Sequence, residues 1–469
     1  IETITEAWAV IEFIPNGPDA AGDTFYWRYE NDDGSFGQIN PAGDLPPDEV
    51  AVLEYDLLDY TRPHLLLPSI GLAKYQDVTG GPPVTADPGE FLGIASDDFT
   101  INNVSLRLSS PDLCGLYLVT DAGDEAQHED VSAETCDTDP AISGDQCTLR
   151  AALQTTGSFE RKVVVFKEDL SENDILPTAA YPEITKRTII DGTTKAPEKQ
   201  MIISGAGVLD SAPAGFTVKA NRSVLKGLRI QNFSADGIRI EGATSVRLDS
   251  LFVTDNGGAG LHARQSPELS VLRSRFENSG SDGITIVGSR DAVIGGSSAD
   301  QNRIEDNGRD GIRVEGSTST GVKIGGNRIA SNDSSGVFVS GSPSSRLFGN
   351  TIQDNGRDGI RIFDSPSHRI GGTSSDSSNS IVRNQENGIF LRGSSTFDVQ
   401  VLGSGIAQNS GHGIQVINGL TVQIGGTGAG EANRILGNGK SGVSVEGDEA
   451  SQVSVRGNSI YDNDGMAID

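Results

Sequence analysis

The sequence is poor in several things that a compact enzyme usually carries. Aromatic residues make up 6% of its 469 positions and apolar residues only 35%, low for a broad globular core. No apolar run approaches the length of about eighteen residues that a membrane-spanning helix needs, so no span is expected. Cations are scarce beside anions: 36 Lys and Arg face 65 Asp and Glu, a net charge of −29. Such a surface repels nucleic acid and anionic lipid, which argues against both as partners of the whole chain. Cysteine is limited to Cys114, Cys136 and Cys147, none with a histidine directly beside it, so a cysteine-based metal site is not expected. An initiator Met and a leader are also missing, and the chain from Ile1 is expected to be a mature or trimmed form.

Glycine, by contrast, is abundant at 59 residues, and it marks a repeat. An Asn is followed four residues later by Gly and then by an in-out-in triplet, as in Asn307…Gly311-Ile312-Arg313-Val314. The phrase returns at Asn332, Asn355, Asn384, Asn409 and Asn438, and begins with some slippage at Gly237, Gly260 and Gly283. Successive apolar anchors from Ile238 to Val443 are 23, 23, 28, 25, 23, 29, 25 and 29 residues apart. A period of that size built from alternating triplets is a β solenoid. A second triplet (Val322-Lys323-Ile324) and a third inside Asn-x-Ile (Asn327, Ile329) give three short strands per turn. The fold class expected is therefore all-β, a parallel β-helix of about 11–13 coils, with asparagine ladders in its bends. Gly-Gly-Ser/Thr loops after residues 294, 370 and 424 leave the register intact and are expected to bulge outward.

Residues 1–110 read differently, as a β-rich, sandwich-like N-terminal module with strands near 7–14, 24–29, 99–101 and 106–108. Residues 111–165 form a junction and 166–469 the solenoid. In the junction, Cys136 and Cys147 bracket an acidic loop; a disulfide is the leading reading and two buried thiols the other, while Cys114 reads as a core thiol. The stretch Thr148-Leu149-Arg150-Ala151-Ala152-Leu153 reads as a short helix that covers the open end of the solenoid.

Cys147-Thr148-Leu149-Arg150-Ala151-Ala152-Leu153 also resembles the CSLREA motif that precedes right-handed, pectate-lyase-like β-helices in secreted bacterial proteins. Ile190-Asp191-Gly192-Thr193, Gly227-Leu228-Arg229-Ile230 and the Ile-Gly-Gly coils at 294–296, 324–326, 370–372 and 424–426 are similar to that family as well. The resemblance spans roughly residues 115–469 and implies export to the cell surface or beyond. Its members include adhesins, surface-layer pieces and polysaccharide-acting enzymes. Here Thr148, Ala151 and Leu153 stand where the motif has Ser, Glu and Ile, so no chemical role is carried over to that helix.

A polysaccharide lyase needs a base and a cation for the uronate, and a hydrolase needs two carboxylates at a set separation. Asp97-Asp98 is the adjacent acidic pair on a strand edge, outside the solenoid. Gly411-His412-Gly413 resembles the polygalacturonase Gly-His-Gly, but the companion elements are missing. The register places Arg313, Phe338, Arg361 and Phe390 in one outward column, with Asp310 and Asp358 at its edge. Lys323, Arg346 and Arg369 make a basic row one face away. Three readings stand: solvated Arg–Asp pairs, a groove for an acidic glycan, or a surface for a partner protein. Ca²⁺ has weak support from Asp462-Asn463-Asp464-Gly465; no other cofactor is indicated.

The chain stops at Ala467-Ile468-Asp469, inside the next strand; either it continues naturally or this end meets a second copy head to tail. The leading functional expectation is an exported, non-enzymatic cell-surface or extracellular protein with a structural or adhesive role, able to assemble into filaments or layers. The alternative is a lyase, epimerase or hydrolase acting on an acidic glycan through Asp310, Asp358, Arg361 and His412.

Overall fold

The computed structural model describes six strands within residues 8–100, and residues 114–469 apart from 133–134, 143–145, 157–160, 168–169, 171–173, 195–199 and 209–212. The chain divides into two compact units, Ile1–Leu116 with Ser158–Glu160, and Tyr117–Gly157 with Arg161–Asp469. In the first unit, Trp8–Pro15 pairs antiparallel with Ala51–Asp56 and Phe99–Thr100, and Asp23–Glu30 with Phe36–Ile39 and Ala73–Gln76. The strand expected at 106–108 and the Asp97-Asp98 pair lie outside the described residues.

The rest of the chain winds as a parallel β-helix with three sheets, named A, B and C here, of 13, 12 and 10 strands. One coil runs Val293–Gly295 in sheet A, Arg303–Glu305 in sheet B and Ile312–Glu315 in sheet C. Each strand pairs in register with its copy one turn on. Ile312 meets Val337, Val337 meets Ile360 and Ile360 meets Ile389, and all four are fully buried. Burying each aliphatic side chain contributes about 1.5–3 kcal/mol, and the shaft is made of little else.

The bends explain the rest of the repeat. Between sheets B and C, Asn307, Asn332, Asn355, Asn384, Asn409 and Asn438 form one continuous amide ladder, each Nδ2 donating to the Oδ1 of the next. Each Oδ1 also accepts the backbone N–H of the preceding rung, as Asn355 does from Asn332 at 3.1 Å. The residues just before these asparagines, Asp306, Ser331, Asp354 and Arg383, turn the chain with φ of 54–56°, an uncommon conformation for residues with side chains. A second ladder, Asn302 to Asn379, lines the bend between A and B. Glycine opens each sheet C strand because the coils close up there: a Cβ on Gly336 would sit 2.5 Å from Ile352 Cγ2 and 2.8 Å from the Gly359 carbonyl. The Gly-Gly insertions form short 3-10 turns at Ser298–Asp300 and Ser375–Ser377, outside the strands.

The solenoid starts earlier than residue 166, because Cys114–Val119 and Arg161–Phe166 are strands of sheet A. Between them, Leu149–Gln154 is a helix (α1) with Thr148 as its N-cap, accepting from the Ala151 amide at 3.0 Å. Leu149 and Leu153 are both buried in the core shared with the first coils. Lys162 Nζ donates to the Leu153 carbonyl at the helix end at 2.8 Å, and burial, with Lys186 nearby, lowers its pKa to about 8. Cys136 and Cys147 stand in disulfide geometry with Cα atoms 5.1 Å apart.

Asn355→Ala removes the acceptor of the Asn332 amide and side chain and a donor to the Ile329 carbonyl in a buried bend, while Asn384 Oδ1 keeps only the residue 355 amide. Buried polar groups left unmade cost about 1–3 kcal/mol each. Chemical denaturation of the variant should show a loss of at least about 2 kcal/mol; a loss below about 0.5 kcal/mol would remove the ladder from the list of stabilising features.

Candidate functional site

The residues just before the sheet C glycines from Gly237 to Gly442 form a column at the lip of that sheet: Asp236, Ala259, Asp282, Asp310, Ser335, Asp358, Asn387, His412 and Ser441. Its acidic members have one shared task. Asp236 Oδ1 accepts the Ala259 amide at 2.9 Å, Asp282 the Asp310 amide at 3.0 Å, Asp310 the Ser335 amide at 2.9 Å, and Asp358 the Asn387 amide at 3.0 Å. Asn387 then accepts the His412 amide at 2.8 Å. One carboxylate oxygen of each Asp is therefore committed to the next coil. Of the four residues with candidate catalytic roles, Asp310, Asp358 and His412 share this column but do not converge, since Ser335 separates Asp310 from Asp358 and Asn387 separates Asp358 from His412; Arg361 stands in the outward column beside it.

The second oxygen of each Asp faces the outward column of sheet C. Arg313 ion-pairs with Asp310, with Asp282 at 3.2 Å and with Glu315 at 2.6 Å, and lies 4.4 Å over the Phe338 ring. Arg361 reaches Asp358 at 3.4 Å and lies 5.1 Å over Phe390. The column Arg313, Phe338, Arg361, Phe390 thus exists as the register implies, with its cations engaged by local carboxylates and rings. Lys323, Arg346 and Arg369 occupy adjacent rungs of sheet A.

Burial sets the acidities. Asp358 is pushed up to about 6 by burial, against hydrogen bonds from Asn387 that pull it down. Asp310 is raised by burial and by the Asp282 charge, partly offset by Arg313. Asp236 goes the other way: burial raises it, but hydrogen bonds from His262, the Ala259 amide and Arg239 outweigh burial and hold it below the usual range. His412 is lowered by burial and by Lys440, and its Nδ1 is buried without a partner. His368, in sheet A, is lowered to about 4 by burial and is tied to the Ser345 amide and the Ser365 hydroxyl, a structural placement.

A cleft of about 600 Å³ opens on sheet C, lined by Asp236, His262, Arg264, Asp282, Thr285, Arg309, Arg313 and Glu315 among others, a volume within the usual range for ligand sites. In the outward column Arg239, His262, Thr285, Arg313 the short Thr285 lies low before Arg313, and Gly258 and Ala259 add no bulk at the adjoining lip. His262 Nδ1 lies 3.5 Å from Asp236 Oδ2, and Arg239 bonds the same oxygen at 2.8 Å. Arg264 and Arg309 line the cleft and, among the described residues, pair with no carboxylate or ring. Sequence reasoning did not single out this site; the register places His262 and Thr285 in the outward column, and the usable signal was the short Thr285 before the long Arg313. Among the described residues no three His, Cys, Asp or Glu side chains group as metal ligands, and no helix is long and apolar enough to cross a membrane.

Asp358 has a native pKa above its unfolded value, so the native state binds the extra proton and stability falls as pH rises from about 4 through about 6. Asp358→Asn keeps the acceptor for Asn387 and removes the buried charge. It should stabilise the protein at pH 7.5 by on the order of 2–3 kcal/mol, with the gain gone at pH 4. Denaturation curves at both pH values check this; a variant less stable than wild type at pH 7.5 refutes it.

The family described as "Right handed beta helix region" matches residues 214–303 and 292–429. Among solved structures, the chain is similar to the A-module of the Azotobacter vinelandii mannuronan C-5 epimerase AlgE6, at 16% identity over 70% of this chain and 94% of that one, with a TM-score of 0.54. The periplasmic alginate epimerase AlgG follows at 12% identity, 66% and 82% coverage and a TM-score of 0.42. The Dettilon tailspike protein gp208 gives 13%, 73% and 68%, and 0.44. No curated protein matches the chain in sequence. Identities this low show a shared fold alone: the chain is a right-handed parallel β-helix.

Proposed function

We propose that this chain is an exported β-helix protein that holds an acidic glycan in the sheet C cleft, in an adhesive rather than a catalytic role. The observation that carries the reading is the pair Arg264 and Arg309, which among the described residues have no ion-pair partner although Asp236, Asp282 and Glu315 line the same concave site. Carboxylates or sulfates on a sugar chain would supply that partner in charge-assisted hydrogen bonds. Thr285, His262 and the edges of Asp236 and Asp282 offer the mixed donors and acceptors that orient hydroxyl groups. The name of the AlgE6 module, a mannuronan C-5 epimerase, shows that the same fold serves chemistry on a sugar polymer. The adhesive reading is favoured because the lip carboxylates are tied to backbone amides and arginines rather than left free as acids or bases.

The second reading, an enzyme acting on a uronate, rests on His262 beside Asp236, a pair able to hold and move a proton. Incubation with polygalacturonate, alginate and a neutral glucan separates the two. Binding of an acidic polymer, weakened at least tenfold in R264Q/R309Q and without new double bonds or inverted C5 centres by NMR, supports the adhesive reading. Turnover that disappears in His262→Ala establishes the enzyme. Equal affinity of wild type and R264Q/R309Q for every acidic polymer removes the cleft as the site.

A further inference from the structure

Seven Asn-Gly steps occur in the chain, six of them, from Asn256 to Asn438, among the described residues. The dipeptide carries chemistry of its own. Glycine has no Cβ to shield its amide nitrogen, and that nitrogen can close a five-membered ring on the carboxamide of the preceding asparagine. The fold disarms five of the six. The amides of Gly257, Gly308, Gly356, Gly388 and Gly439 each donate to a carbonyl of an adjacent coil at 2.8–2.9 Å. The carboxamides before them are held as well: Asn355 Nδ2 donates to the Ile329 carbonyl and to Asn384 Oδ1, and Asn387 Oδ1 accepts the His412 amide.

Asn418-Gly419 is the exception. These two residues alone join Ile414–Ile417 in sheet C to Leu420–Gly425 in sheet A. Asn418 has φ of 56°, in the left-handed region where asparagine is enriched. Glycine is required after it, because a Cβ there would sit 2.7 Å from Val416 Cγ1. The amides on either side are pinned to neighbouring coils: Asn418 to the Glu446 carbonyl at 2.9 Å, Leu420 to that of Thr396 at 3.0 Å and Thr421 to that of Ser451 at 3.0 Å. Among the described residues the Gly419 amide between them donates to nothing. The Asn418 carboxamide is half-buried. Its Oδ1 accepts the Glu449 amide at 3.4 Å and rests against the bare Cα of Gly447, where a Cβ would collide with it, and its Nδ2 has no partner among the described residues.

We propose that Asn418 is a self-modification site of this protein. The Gly419 nitrogen attacks Asn418 Cγ, the new N–Cγ bond closes a succinimide, the Cγ–Nδ2 bond breaks, and Nδ2 leaves as ammonia with the Gly419 amide proton. Water then opens the ring. Attack at Cγ gives aspartate, and attack at the main-chain carbonyl gives isoaspartate, whose main chain runs through Cβ and Cγ. Nothing is oxidised or reduced, and water is the sole co-reactant. The Glu449 amide donates to the oxygen on which charge builds as the ring closes. The five other steps must first break bonds between coils, so they react only through local opening. Isoaspartate adds one atom to the main chain of a turn only two residues long, which displaces Leu420 from its rungs with Phe397 and Ser451. The step needs no ligand and is independent of what the cleft binds.

Incubation of the full chain in mildly alkaline buffer, followed by peptide mass spectrometry with fragmentation that separates isoaspartate from aspartate, tests the proposal. In the folded protein, residue 418 should convert at least tenfold faster than Asn256, Asn307, Asn355, Asn387 or Asn438. Once the chain is unfolded in guanidinium, all six should convert at comparable rates, which shows that the difference belongs to the fold. Conversion at 418 no faster than at the other five in the folded protein overturns the proposal. N418Q, whose longer side chain closes a six-membered ring far more slowly, should stay unmodified and hold its melting temperature through the same incubation. Aged wild type should develop a fraction that melts below N418D, which carries the new charge without the longer main chain. An aged protein that melts like N418D overturns the displacement of Leu420.

Discussion

Coil-on-coil register is the constraint on which everything else in the solenoid rests. Each strand hydrogen-bonds to its own copy one turn away, so from Arg161 on each side chain's neighbours are the equivalent residues 22–35 positions before and after it. A wrong side chain in the shaft is felt at once by two like neighbours. The asparagine ladders enforce the same spacing from the bends, because each amide satisfies a backbone group of the preceding coil as well as the next Asn. Interior and bends are thus locked by the same repeat, and only the outward positions are free to vary.

Those outward positions divide by what answers their charge. On sheet B, and on sheet C apart from Arg264, the strand arginines among the described residues meet carboxylates or rings within a coil or two. The lip aspartates show how far this goes, since Asp282, Asp310 and Asp358 each give one oxygen to a backbone amide. Among the described residues that compensation lapses at Arg264 and Arg309 in the cleft, along Lys323, Arg346 and Arg369, and at Arg290, Arg357 and Arg456, where the molecule keeps an attraction for anions. In an acidic protein such places are local exceptions to the overall field, and salt screens them over about 10 Å, so any anion they hold must come close.

The strand pattern was legible because a period-2 triplet after each Asn…Gly phrase admits one periodic solution, three strands to a coil. The triplet centred on Lys323 and that on Ile329 fall in sheets A and B, with the Asn residues in the bends. The outward columns follow from the same arithmetic. The candidate site was less legible. Asp310 and Asp358 read as partners of nearby arginines or as acids at the edge of a groove, whereas one oxygen of each accepts the amide of Ser335 or Asn387, in coils 25 and 29 residues away. Nothing local in the sequence marks that pairing.

By itself, then, the sequence determined the winding, the buried shaft of Ile, Val and Leu and the identity of each column, because all three depend on residue spacing alone. Tertiary structure decided which charges are spent and which remain. An ion pair depends on side-chain reach between coils, as when Arg313 draws on Asp282 from the coil before it. The cleft depends on Gly258 and Ala259 of one turn lying beside Thr285 of the next, a juxtaposition that exists only once those turns are stacked.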